Sequence, residues 1–236
     1  MPATTFHVDA ILFDMDGTLI DSTPGVVRAW ENLRNTYPNV DIDGILRSSH
    51  GVRAIDILQT HCGIMDPQEL ESVAQDIDDG IITFALEDGK GIIPLPGVES
   101  IIKELAAGRY YPNPCWAICT SATRRYALSA LGIAEVPIPD VFITSEDVAK
   151  GKPFPDPYLL GAEQCGVKPE NCVVFEDAPS GVRSGRAAGC KTVGLLTSHS
   201  REDMEACQPD FLIKDLSSII LRRVLNGVEV TIHDQI

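Results

Sequence analysis

Two aspartates stand two residues apart in Phe13-Asp14-Met15-Asp16-Gly17-Thr18, directly behind an apolar run. Other polar groups sit in comparable positions. Thr120-Ser121 follows the apolar segment from Cys115, Glu176-Asp177 follows Cys172-Val173-Val174-Phe175, and Lys152 lies in Gly151-Lys152-Pro153. The set holds two carboxylate pairs, hydroxyls and one ammonium. Carboxylates gathered in one place repel unless something cationic neutralises them. Oxygen-only ligands suit magnesium, which keeps several waters and binds through a few carboxylates plus a phosphate. Each feature alone has a plainer explanation: an Asp-x-Asp surface turn, helix-capping Ser121 and Asp177, a solvated loop Lys152. Only their company favours chemistry.

That company requires a frame. Val8 to Phe13 reads as a buried strand running into a Gly-containing turn. Asp21 or Ser22 can N-cap a following helix, with Pro24 in its first turn. From there to about Gly91 the patterns are helical, without a convincing strand. Pro94 and Pro96 then interrupt the chain as a linker would.

Beyond Pro96, helix and strand alternate. Helices are expected near 97–107, 123–131, 156–166 and 179–188; strands are expected at 115–120, 141–144, 172–176, 191–195 and 211–213. A helix after Asp215 and an edge strand at 228–232 complete the reading. Short strands each followed by a helix imply βαβ units. The expected fold is therefore α/β, a Rossmann-like, mostly parallel sheet core with an inserted helical cap domain. Residues 1–20 and 96–236 form the core and 21–95 the insert. In such sheets ligands sit beyond the carboxyl ends of the strands, where the polar groups above fall.

Composition narrows the function classes. With 34 acidic against 19 basic residues the formal charge is −15, and no basic stripe is visible, so a nucleic-acid partner is not expected. An anionic substrate would need local cations or helix N-termini to overcome that field. The longest apolar runs are too short for a bilayer, and the N-terminus lacks the organisation of a signal peptide. A cytoplasmic protein, acting as a monomer without a membrane partner, is the expectation. The seven cysteines include no Cys-x-x-Cys pair and read as reduced, small hydrophobes.

Phe13 to Leu19 resembles the first motif of the haloacid dehalogenase superfamily, Thr120-Ser121 its second, Lys152-Pro153 its third and Glu176-Asp177 its fourth. Their order and strand-end positions agree with it, and the helical insert looks like that superfamily's first type of cap. The resemblance implies hydrolysis of phosphate esters. Asp14 would be the nucleophile, forming an aspartyl-phosphate, and Asp16 the general acid/base. Ser121 and Lys152 would hold the phosphoryl group, and Thr18 would contribute a hydroxyl to the substrate. Magnesium (Mg2+) would be held by Asp14, Asp16 and Asp177, with Glu176 acting directly or through water.

A subgroup resemblance is carried by His50-Gly51-Val52-Arg53, Trp116 to Arg124, Gly151 to Tyr158 and Phe175 to Gly181. These segments are similar to the fungal glycerol-3-phosphate and 2-deoxyglucose-6-phosphate phosphatases. Arg53, Thr123 and Arg124 would then contact the non-reacting part of a small-molecule phosphate ester, a polyol or sugar phosphate. Nucleotides are disfavoured because no aromatic pair is evident where cap meets core. Competing readings are a sugar phosphomutase of the same fold and a catalytically silent binding protein. The mutases usually carry a cap histidine where this chain has Val26.

Overall fold

The computed structural model describes residues 3–48, 50–88, 91–106 and 114–233. The end of the helix expected at 107 lies outside them. The strands are β1 (Thr4–Val8), β2 (Ala10–Phe13), β3 (Ile20–Asp21), β4 (Ile93–Pro94), β5 (Trp116–Cys119), β6 (Val141–Ile143), β7 (Cys172–Glu176), β8 (Lys191–Leu195), β9 (Phe211–Ile213), β10 (Ile219–Val224) and β11 (Gly227–Ile232). The helices are α1 (Thr23–Leu33), α2 (Ile42–Ser48), α3 (Ala54–Cys62), α4 (Pro67–Asp88), α5 (Val98–Ala106), α6 (Arg124–Ile133), α7 (Asp156–Gln164), α8 (Pro179–Ala187) and α9 (Arg201–Glu205).

Six strands form one parallel sheet in the order β6-β5-β2-β7-β8-β9. Helices cover both faces of such a sheet, so its central strands read as unbroken apolar runs. Every residue of β2, β5 and β7 is buried. Phe13 pairs in register with Phe175, their rings stacked at 5.3 Å, while Trp116 meets Phe13 edge-on. Burying a phenylalanine of this kind contributes roughly 1.5–3 kcal/mol. The register brings the carboxyl ends of β2 and β7 level: the Asp14 amide donates to the Phe175 carbonyl.

Three expectations are corrected. The single strand Val8–Phe13 is broken at Asp9, whose backbone and side chain both bond Asn171 and turn the chain from one sheet into another. After Asp215 there is only a 3-10 turn, Leu216–Ser218, capped by Asp215, before β10 begins. Ile219 and Leu221 are buried and Ile220 exposed, the alternation of a half-buried strand rather than of a helix. The segment 228–232 is not an edge: β11 is the middle strand of an antiparallel sheet, β1-β11-β10.

The helices α1 to α4 fill residues 23–88, with α1 and α3 packed on α4. At their entry and exit the chain forms a ribbon unforeseen in the sequence. Ile20 pairs with Pro94 and Asp21 with Ile93. Among the described residues no helix is long and apolar enough to cross a membrane. The cysteines are all unpaired, and all but Cys62 are buried.

Candidate active site

The turn after β2 is built around Met15, whose carbonyl accepts from the amides of Leu19 and Ile20. Gly17 sits within it at φ +83°, and a Cβ there would come 2.1 Å from Asp177 Oδ2. Only glycine lets this loop lie so close to the end of β7.

Asp14 and Asp16 leave this turn in different surroundings. The Asp14 carboxylate accepts from Lys152 Nζ at 2.5 Å, and the same ammonium donates to Glu176 Oε1 at 2.6 Å. Tyr158 also donates to Glu176 Oε1, at 2.7 Å, and the Ala178 amide donates to Glu176 Oε2. Asp16 Oδ1 instead accepts from Ser22 Oγ at 2.6 Å and Tyr126 Oη at 2.8 Å. Ser22 is free for this because Asp21 takes the first exposed amide of α1, that of Thr23. Lys152 precedes Pro153 through a cis peptide bond and is almost completely buried.

Ligand oxygens of Asp14, Glu176 and Asp177 lie within 4.8 Å of one another. Burial raises the Asp14 carboxyl well above the ordinary range; Lys152 opposes the rise, and Glu176 and Asp177 reinforce it. Burial and Glu176 push Asp177 to about 7, although Ser198 and Thr18 hydrogen bonds hold it down. Burial also works to lower the Lys152 ammonium, but Asp14 and Glu176 outweigh it and hold the group above its usual value. Asp16 is raised by burial against the pull of Ser22 and Tyr126. Three buried carboxylates face one ammonium, so a hard divalent cation fits this cluster on charge and donor type.

Several expected contacts take a different form. The Asp16 carboxylate is not part of the three-carboxylate cluster. Both oxygens of Glu176 already have protein partners. Thr18 gives its hydroxyl to Asp177 Oδ1 rather than to open space. Ser121 lines the cavity above the turn, but its hydroxyl donates to the Gly51 carbonyl at 2.7 Å. Arg53 lines the same cavity, while its guanidinium forks onto Asp56 and reaches the Val148 and Ala149 carbonyls. Thr123 caps α6 and donates to Asp78. Arg124 is not in the cavity lining. It points along the sheet edge, bonding Asp147 and the Phe142 carbonyl and lying over the Phe142 ring.

From sequence, Asp78, Tyr126, Tyr158 and Ser198 have no assigned role and Ser22 reads as an N-cap; Ser22 does hold that position, but its hydroxyl goes to Asp16. Ser198 stands just past β8, so the rule that found the other strand ends could have reached it. His199 donates from Nδ1 to the Asp177 carbonyl and meets the His50 ring at 5.1 Å. The cavity holds about 170 Å3, below the ~300–1,000 Å3 of sites for drug-sized molecules. Two aromatic residues, Trp30 and Tyr126, do line it. They are only 5% and 4% exposed, so neither offers an open face for a base.

A family model described as haloacid dehalogenase-like hydrolase matches residues 8–189. The chain belongs to this family of hydrolases. It is 32% identical over 231 residues to glycerol-1-phosphate phosphohydrolase 1 of Saccharomyces cerevisiae, covering 93% of this chain and 88% of the relative. It is 36% identical to hexitol phosphatase A of Escherichia coli, over 92% of this chain and 95% of the relative. A hydrolase from Pseudomonas syringae of known crystal structure shares the fold with a TM-score of 0.75 and 24% identity, over 88% of this chain and 94% of that one.

Proposed function

We propose that the chain is a magnesium-dependent phosphatase of small polyol and sugar phosphates that works through an aspartyl-phosphate on Asp14. One observation carries the mechanism: Asp14 and Asp16 occupy separate environments, one against Lys152 and the other against Ser22 and Tyr126. Two carboxylates whose surroundings differ are suited to different roles. The names of the relatives above, one acting on glycerol phosphate and one on hexitol phosphates, support the substrate class.

In this reading an Asp14 oxygen attacks phosphorus, and the bond from phosphorus to the ester oxygen breaks. Asp16, whose hold on a proton is strengthened by burial, gives its proton to the departing alcohol. Water then attacks phosphorus, Asp16 takes a proton from it, and the Asp14–phosphorus bond breaks to release phosphate. Lys152 neutralises charge on Asp14 and the phosphoryl oxygens, and Glu176 keeps Lys152 in place. Asp14 and Asp177 would hold magnesium, with Glu176 behind them. Bound there, it would offset charge on the phosphoryl group and bring that group to the nucleophile. Arg53 straps the helical insert to the core, closing a water-poor chamber over the reacting ester.

The test is phosphate release from a panel of monoesters, including glycerol-3-phosphate, 2-deoxyglucose-6-phosphate, a hexitol phosphate, nucleotides and an aryl phosphate. Acid quenching during turnover should trap phosphate on Asp14. Preference for nucleotides would overturn the substrate class. Turnover without a trapped phosphoenzyme would overturn the mechanism.

A further inference from the structure

Asp78 lies on α4, in the lining of the cavity that also holds Asp16. In the proposed reaction Asp16 serves the leaving oxygen, so Asp78 stands on the leaving-group side. It is 8% exposed, in an interior where an ionised carboxylate is costly unless it is matched. Its one hydrogen-bond partner among the described residues is Thr123, whose Oγ1 donates to Oδ2 at 2.5 Å. Thr123 Oγ1 itself accepts from the Tyr126 amide, which directs its proton to Asp78. A carboxylate accepts about four hydrogen bonds, so Asp78 retains acceptor capacity beside the cavity.

The cations nearby are committed elsewhere. Arg53 is the one lysine or arginine among the described lining residues, and Asp56 and two core carbonyls hold its guanidinium. Arg125 contributes some opposing charge to Asp78 but is ion-paired to Asp79 on the exposed side. Burial pushes the Asp78 carboxyl up to about 6, and the charges of Asp16 and Asp79 add to the rise. The leaving-group side of the cavity therefore combines hydrogen-bond acceptors with uncompensated negative charge.

We propose that Asp78 determines specificity for the leaving group, accepting a hydrogen bond from a hydroxyl of a neutral polyol and rejecting a second anionic group. This rests on the phosphatase reading above and deepens it. A molecule carrying a carboxylate or a second phosphate away from the reacting ester would bring that charge against Asp78, with no uncommitted lysine or arginine among the described lining residues to receive it. A site built around a hydrogen-bonding acceptor discriminates strongly because a poorly matched ligand leaves a buried polar group unpaired. The same feature disfavours a mutase, whose substrate must be held by a second phosphate while the first moves.

Glycerol-3-phosphate and 3-phosphoglycerate form a matched pair, one ending in a hydroxymethyl group and the other in a carboxylate. kcat/KM would be measured above neutral pH on both and on an aryl phosphate, for wild type, Asp78→Asn, Asp78→Ala and the nearby control Asp76→Asn. Wild type should prefer the glycerol ester by roughly 100-fold, and Asp78→Asn should narrow that ratio about 10-fold or more. Asp76→Asn, an exposed carboxylate of the same helix, should keep the wild-type ratio. The amide retains the shape of Asp78 and its bond from Thr123, so folding is not at risk; unfolding midpoints provide the check. Asp78→Asn slowing all three esters by one factor, or wild type hydrolysing the matched pair equally fast, overturns the inference while leaving the phosphatase reading intact. Wild type releasing phosphate from none of them overturns both.

Discussion

Tyr126 donates to Asp16 Oδ1 at 2.8 Å across 110 residues of chain, joining the first turn of α6 to the loop after β2. That bond favours the ionised carboxylate and so opposes the rise that burial imposes on Asp16. Removing it in Tyr126→Phe should raise the Asp16 carboxyl further. If Asp16 must be protonated to release the alcohol, activity is lost as pH rises through its titration. The basic limb of the kcat/KM profile should therefore move to higher pH in Tyr126→Phe, as steady-state rates across pH will reveal. A shift to lower pH would contradict the assignment.

The two aspartates should fail differently. Asp14→Asn removes the attacking oxygen and should abolish both turnover and the trapped phosphoenzyme. Asp16→Asn should lose roughly 10²–10⁴-fold in kcat through lost proton transfer, while an ester with an acidic phenol as leaving group should suffer less. Quenched-flow trapping with the two variants separates these losses.

Glu176 and Asp177 are neighbours with unlike surroundings. Both stand in the carboxylate cluster, but both Glu176 oxygens are engaged, by Lys152, Tyr158 and the Ala178 amide, whereas Asp177 receives the Thr18 and Ser198 hydroxyls. Asp177→Asn should raise the magnesium concentration for half-activation by about 10-fold or more. Glu176→Gln should lower kcat with a much smaller change in that concentration. Equal rises in both variants would make Glu176 a direct ligand.

Exhaustive chelation should abolish phosphate release, and added magnesium should restore it. Calcium, which takes more ligands in a looser shell, should bind without restoring turnover and should compete with magnesium. Full activity in the chelated protein would remove the metal from the mechanism.

Asp78 should cost stability where it is ionised. Burial raises its carboxyl from the ordinary 3.8 to about 6, with Thr123 and Arg125 opposing the rise. The folded chain thus holds this proton more tightly than the unfolded chain. The stabilisation is full below the unfolded value and is lost as pH rises through about 6. Converted at about 1.36 kcal/mol per pH unit, the cost above neutrality reaches roughly 3 kcal/mol. Asp78→Asn should therefore unfold at a higher temperature than wild type above neutral pH, and the gain should fade as pH falls toward 4. Thermal unfolding across pH checks both the sign and the window.

The strand-end chemistry was legible because a buried parallel strand is an apolar run with an abrupt polar end. Asp14, Lys152, Glu176 and Asp177 could each be placed by that rule together with the motif order. Asp78 could not. It stands in Gln75-Asp76-Ile77-Asp78-Asp79, where neighbouring carboxylates look alike until packing turns one toward Thr123 and another toward Arg125. Tyr126 was hidden for the same reason, since a tyrosine in the first turn of a helix carries no sign of its partner. The carboxyl-terminal error arose because Asp215-Leu216-Ser217-Ser218 resembles a capped helix start, and only the pairing of 219–224 with 227–232 reveals a hairpin.

The ribbon of Ile20–Asp21 with Ile93–Pro94 begins inside the loop that carries Asp16. Gly17 N donates to the Ile20 carbonyl, and Leu95 N donates to the Leu19 carbonyl. Any swing of the four helices about this ribbon would twist the peptide units that hold Asp16, and it would also part Asp78 from Thr123. Opening the chamber would therefore disarm it. In the proposed reaction the acid would then be misaimed while the chamber stands open to passing phosphate esters, and would be aimed only around a guest small enough to be enclosed.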